Sequence, residues 1–220
     1  MSTDLLRTEF ARVRAWVFDL DNTLYPPEAR LFDQIERLMT DYVAVALAVS
    51  REKADDLRRR YWAKYGTTLA GLMAEHALDP DPYLHAVHQI DFSGLTPAPD
   101  LAAAIAALPG RRVVYTNGSA LYARGVLKAR EMEGVFDAVY GVEHADYHPK
   151  PRRDAFEAVF ARDGLDPTVG VMFEDDPRNL AVPHEMGMRT VLVGDAPVRA
   201  DHIHHHTRDL TGFLVALDAG

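Results

Sequence analysis

The chain has 220 residues, 48% of them hydrophobic and 26% charged, the balance of a globular protein that can bury a core of its own. Its cysteine count is 0, which excludes disulfides, thiolate metal sites and a cysteine nucleophile, and it has no apolar run of the roughly 20 residues that a membrane span needs. With 24 basic against 33 acidic residues the net charge is -9; this opposes broad contact with nucleic acid polymers or membranes, yet leaves room for a small anion held by a few focused cations.

In chain order, the opening MSTDLLRTEFARVRAW carries acidic residues and lacks the apolar stretch of a secretory signal, so a cytoplasmic location is expected. Ala15 to Asp19 is apolar without alternation, which predicts a strand covered on both faces. No strand is predicted from Tyr25 to Thr96. Leu31, Ile35, Leu38, Tyr42 and Ala46 form one helical stripe, with Asp33, Glu36, Arg37 and Asp41 on the opposite side. A second helix is expected from Ala54 to Tyr65, stopped by Gly66, with shorter ones at Leu69 to Ala77 and Tyr83 to Ile90. The run SGLTPAPD then reads as a hinge. Further strands are predicted at Arg112 to Thr116, Phe136 to Tyr140, Val169 to Glu174 and Thr190 to Val193. Helices separate or follow them: one capped by Ser119, others at Asp154 to Arg162, Asn179 to Met186 and Asp209 to Leu217. His202, His204, His205 and His206 are expected in a polar loop. This alternation predicts an α/β fold, a Rossmann-like doubly wound parallel sheet formed by residues 1–24 and 97–220. Residues 25–96 form an all-helical domain inserted after the first strand.

Ligands of such sheets bind at the carboxyl ends of the strands. The first predicted strand ends in Asp19-Leu20-Asp21-Asn22-Thr23, two carboxylates that can approach one small volume as the chain turns. The second ends in Thr116-Asn117-Gly118, a hydroxyl and an amide before the residue that lets backbone approach a ligand most closely. The fourth ends in Glu174-Asp175-Asp176, and Lys150-Pro151 lies between the third and fourth. Each alone is an ordinary turn or loop; all of them at the same end of one sheet are hard to obtain as a by-product of turns.

Together these segments resemble the four motifs of the haloacid dehalogenase-like hydrolase superfamily, in order, and the helical insert resembles its small C1-type cap. The resemblance implies Mg2+-dependent hydrolysis of a small phosphate monoester through an aspartyl-phosphate. It makes Asp19 the nucleophile and Asp21 the acid that protonates the leaving alkoxide, then the base that activates water. Lys150, Thr116 and Asn117 would bind the phosphoryl oxygens, and Asp19, the backbone carbonyl of Asp21 and Asp175 would hold Mg2+. Glu174 or Asp176 would support the metal. Members that remove halide lack the second aspartate, because halide leaves without a proton, so Asp21 favours phosphate chemistry.

Asp19 to Pro26, Tyr65 to Leu72 and Phe173 to Asn179 are similar to the pyrimidine 5′-nucleotidase branch, which implies a pyrimidine nucleoside 5′-monophosphate as substrate. Phosphoglycolate or a sugar phosphate is the alternative, and a catalytically silent phosphate-binding scaffold a further one. Arg58-Arg59-Arg60 is read as a solvated face from which one arginine could face the cleft, Tyr61 and Tyr65 as core, and Tyr25 as either core or substrate contact. Oligomeric state is not legible.

Overall fold

The structure, a computed structural model, describes residues 3–218. A helix α1 (Thr3–Phe10) leads into β1 (Ala15–Phe18), and α2 (Leu31–Ala46), α3 (Arg51–Tyr65), α4 (Thr68–His76) and α5 (Pro80–Val87) follow with no intervening strand. Next come α6 (Pro99–Ala106), β2 (Arg111–Tyr115), α7 (Ala120–Ala129), β3 (Ala138–Tyr140), α8 (Arg153–Asp163) and β4 (Gly170–Glu174). The chain closes with α9 (Ala181–Glu185), β5 (Arg189–Val193), β6 (His205–Thr207) and α10 (Leu210–Asp218).

The strands form one six-stranded parallel sheet in the order β3-β2-β1-β4-β5-β6. Its two faces are filled by alternate residues of each strand, as the pleat requires. Trp16, Phe18, Val114, Phe173 and Val191 pack under α1, α6, α7 and α10, while Val17, Tyr115, Met172 and Leu192 pack under α8. Phe18 and Phe173 stack at 4.7 Å across the β1 to β4 pair, which holds the two central strands in register.

The sixth strand departs from the polar loop expected at the histidines. Residues 205–207 pair with Val191 to Val193. An edge strand of partly exposed polar residues carries no apolar signal, and it is side chains that secure it. His206 Nε2 lies 2.7 Å from the Gly194 carbonyl, and the His204 backbone N–H donates to Thr190 Oγ1. The segment expected as one helix from Asn179 is shorter, a 3-10 turn at Pro177–Leu180 followed by α9. The hinge segment also ends sooner than its composition suggests, because Pro99 opens α6 at a position where its missing N–H is not needed.

The helical insert has a hydrophobic cluster of its own, centred on Val43, Leu57, Tyr61, Leu69, Leu72 and Tyr83. Ser50 caps α3 by accepting from the Lys53 N–H, so that helix starts three residues before the predicted Ala54. Tyr25, Leu31 and Ile35, at the start of the insert, belong to the cluster under the sheet. Both chain crossings between insert and sheet are held by one buried side chain. Arg130 donates from Nε to the Leu24 carbonyl at 3.2 Å and from Nη1 to the Thr96 carbonyl at 2.6 Å. Among the described residues no helix is long and apolar enough to cross a membrane.

Packing inside the insert depends on close approach of α3 and α4 at Gly71, where an added Cβ would lie 2.3 Å from Tyr61 Cγ. Gly71→Ala should therefore destabilise the protein by about 1–3 kcal/mol through overpacking, read as a lower denaturation midpoint in urea. An unchanged midpoint would show that the two helices separate freely.

Candidate active site

Strand order reverses on either side of β1, and that switch point is where an open α/β sheet leaves a crevice at its carboxyl edge. The register pairs Phe18 with Phe173, so Asp19 and Glu174, the next residues on each strand, emerge side by side. The Asp19 N–H donates to the Phe173 carbonyl at 2.9 Å and fixes that exit.

Lys150 reaches this point from the loop between β3 and α8. Its Nζ donates to Asp19 Oδ1 at 2.6 Å, to Glu174 Oε2 at 2.6 Å and to the Tyr115 carbonyl at 3.1 Å, and the side chain is 1% exposed. Asn117 places the lysine: its Oδ1 accepts from the Lys150 N–H at 2.7 Å and its Nδ2 donates to the Lys150 carbonyl at 3.1 Å. Burial alone would lower the ammonium's pKa, but Asp19 and Glu174 outweigh it and hold Lys150 above its ordinary range. The carboxyls move the other way. Burial first, and then the neighbouring Glu174, raise Asp19 well above the usual carboxylate range despite Lys150. Burial likewise pushes Glu174 up to about 7 and Asp175 up to about 6.

Carboxylate oxygens of Asp19, Glu174 and Asp175 lie within 4.8 Å of one another. Three oxygen donors with one ammonium among them leave an excess of negative charge in a buried place, and that is the donor set a hard divalent cation prefers. Asn22 steadies the cluster by donating from Nδ2 to Asp175 Oδ2 at 3.2 Å; it sits at φ 58, a left-handed conformation that asparagine tolerates. Asp176 is spent elsewhere. It caps the following 3-10 turn and pairs with Arg178, which outweighs burial and holds its carboxyl low. Glu174, not Asp176, is thus the acid beside Asp175 in the cluster.

Asp21 lies next to this group with its side chain turned toward hydroxyls. Oδ1 accepts from Tyr25 at 2.6 Å and from Tyr122 at 2.6 Å, and Oδ2 accepts from Thr116 Oγ1 at 3.3 Å. Burial, and then the Asp21 charge, hold both phenols above their ordinary range, so both remain donors. Thr116 Oγ1 also accepts from the Gly118 N–H at 2.9 Å. Of the residues that the sequence motifs single out, Asp19, Asp21, Thr116, Asn117, Lys150, Glu174 and Asp175 meet at one sheet edge, and Asp176 turns away to Arg178.

A cavity of 490 Å³ opens from this edge under the helical insert. Phe32, Ile35, Met39, Trp62, Leu69 and Val87 supply an apolar wall. Arg58 and Arg59 also line it, two of the triplet where one facing the cleft is the alternative to a solvated face, and both are already paired: Arg58 with Glu36 and Asp55, Arg59 with Asp55 and Asp56. Tyr83, His88 and Tyr122 line the same cavity and carry no motif in the sequence; only tertiary packing brings them there. The Tyr83 hydroxyl is buried, and burial raises its pKa, partly offset by the neighbouring Thr68 hydroxyl. Tyr61 is core, as expected, and Tyr65 is half-buried against it.

Three solved structures illustrate the likeness of the fold. A HAD phosphatase from Thermococcus onnurineus is 18% identical with a TM-score of 0.61, covering 90% of this chain and 94% of that one. A HAD hydrolase from Bacillus subtilis, solved bound to magnesium, is 16% identical with a TM-score of 0.59 over 94% and 99% of the two chains. A 2-haloacid dehalogenase from Pseudomonas syringae is 21% identical with a TM-score of 0.57 over 93% and 98%. The family model for haloacid dehalogenase-like hydrolases matches residues 13–187, from the approach to β1 through the whole acidic cluster. With that match added to the parallel sheet and its carboxyl-edge cluster, the chain belongs to the haloacid dehalogenase-like hydrolases.

Proposed function

We propose that this hydrolase is a Mg2+-dependent phosphatase for small phosphate monoesters that works through an aspartyl-phosphate on Asp19. Its substrate in this reading is a pyrimidine nucleoside 5′-monophosphate, with residues 25–96 acting as a C1-type cap over the leaving group. One observation carries the phosphatase reading: a lysine-held carboxylate, Asp19, has a second aspartate two residues on whose Oδ2 lies beside the Thr116 hydroxyl. A carbon–halogen bond releases an anion that needs no proton, so only ester chemistry gives Asp21 a task there.

In the first half-reaction an Asp19 oxygen attacks phosphorus, forming an O–P bond as the ester O–P bond breaks. Asp21 gives its proton to the departing oxygen. Water then attacks phosphorus and passes a proton to Asp21, the bond to Asp19 breaks, and inorganic phosphate leaves. A phosphate dianion about 4 Å from a carboxylate meets repulsion on the order of 8 kcal/mol at an effective dielectric of about 20. Lys150 offsets part of it, and Thr116 Oγ1 and the Asn117 backbone N–H receive phosphoryl oxygens. Asp19, the Asp21 carbonyl and Asp175 would hold Mg2+, which supplies the remaining neutralisation of the phosphoryl charge.

The leaving-group reading rests on the cavity wall. Arg58 and Arg59, the arginines that line the cavity, are already ion-paired, so a second anionic group, as in phosphoglycolate, would have to displace a carboxylate. A neutral, partly apolar nucleoside fits the apolar side chains of the wall.

Asp19→Asn should abolish phosphate release from p-nitrophenyl phosphate with Mg2+ while leaving the circular dichroism spectrum intact; surviving turnover would overturn the nucleophile assignment. In a substrate panel, kcat/KM for UMP should exceed that for AMP by about tenfold or more. Equal values across nucleotides, sugar phosphates and phosphoglycolate would leave a broad phosphatase instead.

The raised carboxyls set the sign of a further test. Glu174 and Asp175 keep their protons to about pH 7 and about pH 6 when folded, higher than in the unfolded chain, so the metal-free fold binds more protons across that range. Its stability is complete below the unfolded values and falls, by an amount on the order of a few kcal/mol, as pH rises toward neutrality. Thermal unfolding in EDTA should therefore occur at lower temperature at pH 7.5 than at pH 5, with Mg2+ restoring more at the higher pH. An Mg2+ gain equal at both would contradict this placement of the metal.

A further inference from the structure

Asp21 is held more elaborately than an acid exposed in a crevice requires. Two phenol hydroxyls, Tyr25 and Tyr122, donate to the same oxygen, Oδ1, each at 2.6 Å, and their own oxygens lie 3.2 Å apart. Both rings are nearly inaccessible, at 1% and 2% exposure. Neither can swing away without repacking, since Tyr25 belongs to the cluster under the sheet and Tyr122 lies in the first turn of α7. Tyr122 is fixed again from the insert: the His88 ring stacks on it at 4.5 Å with 9° between the planes, and a His88 ring nitrogen lies 3.0 Å from Ser119 Oγ, the cap of α7. The other carboxylate oxygen, Oδ2, has a single weaker donor at 3.3 Å, the Thr116 hydroxyl.

We propose that Tyr25 and Tyr122 are positioning residues for proton transfer: they commit Oδ1 to accepting hydrogen bonds, so that Oδ2 is the oxygen that delivers the proton to the leaving group. The proposal rests on the phosphatase reading above and adds an atom and two residues to it. When a phosphoryl oxygen takes the Thr116 hydroxyl, Oδ2 loses that donor and faces the ester. The proton on Oδ2 then passes to the ester oxygen as the O–P bond breaks and its electron pair goes to that oxygen. In the second half-reaction Oδ2 takes the proton of the attacking water while the electron pair of the Asp19 O–P bond returns to Asp19. His88, stacked on Tyr122, makes the insert part of the same support.

The test uses the Mg2+-loaded enzyme and aryl phosphates ranging from p-nitrophenyl, whose leaving group is stable as an anion, through phenyl to p-methoxyphenyl, which needs a proton. Tyr25→Phe, Tyr122→Phe and the double variant keep the ring volumes and remove only the donors. The double variant should lose about tenfold or more in kcat/KM on p-methoxyphenyl phosphate and almost nothing on p-nitrophenyl phosphate, so that its dependence on leaving-group basicity steepens. Each single variant should fall between, which keeps the comparison open if the double variant does not fold. A loss equal across the series would mark the tyrosines as merely structural, and no loss would remove them from the mechanism; either overturns the proposal. Asp21→Asn separates the two levels. If it too leaves the slope of the wild type unchanged, the acid role of Asp21 fails, not only its support.

Discussion

Everything at the carboxyl edge is arranged around one ammonium group shared by two carboxylates. Lys150 Nζ lies 2.6 Å from both Asp19 and Glu174, and all three side chains are buried. Taking such ions out of water costs several kcal/mol each, and removing one partner strands the others, at roughly 3–5 kcal/mol. The surrounding fold supplies what keeps the arrangement tolerable. Parallel register brings β1 and β4 out together, the Tyr115 carbonyl gives the ammonium a third acceptor, and Asn117 grips the lysine backbone on both sides. Even so, Asp19, Glu174 and Asp175 outnumber the single lysine, which is why burial drives all three toward protonation and why the site calls for a cation. The chain's excess of acidic residues thus has a local counterpart in this pocket, whose negative charge a bound cation would offset.

Specific polar and aromatic contacts join the helical insert to the sheet, in addition to the apolar packing of Tyr25, Leu31 and Ile35. Arg130 reads the carbonyls of Leu24 and Thr96, one on each crossing, so the two connections are tied to the same buried guanidinium. On the far side of the cavity Arg178, held by Asp176, lies over the Trp62 ring at 4.4 Å, and on the near side His88 stacks on Tyr122. These two contacts, with the Arg130 tie at the crossings, join the insert to the sheet around the cavity.

What the sequence revealed of this arrangement follows physical range. β1, β2, β4 and β5 are visible because they lie inside the sheet and read as apolar runs, whereas the edge strand β3, only partly buried, still shows through Phe136, Val139 and Tyr140; the site residues are visible because they stand at the ends of such runs. The sixth strand, at His205–Thr207, is hidden since an edge strand holds its place by hydrogen bonds to Thr190 and Gly194, not by apolar burial. Arg58 illustrates a different blindness. A triplet of arginines on a helix reads as a solvated face, yet Arg58 lines the cavity with its side chain 14% exposed, its charge met by Glu36 from another helix. Tyr122 and Asp21 are 101 residues apart, and nothing local announces that one holds the other. Tyr25, four residues from Asp21, could be suspected of a role from its place after the motif; that its hydroxyl faces the carboxylate and not a substrate ring is a matter of packing alone.

In the proposed reaction Asp19 is the group that takes up phosphorus, and one measurement reaches it directly. Enzyme with Mg2+ and excess p-nitrophenyl phosphate, quenched in acid during the first turnover and digested, should yield a phosphorylated peptide whose fragment masses place the phosphoryl group on Asp19. Phosphoryl found on another side chain, or a burst of nitrophenol with no protein-bound phosphate at any quench time, would contradict the account.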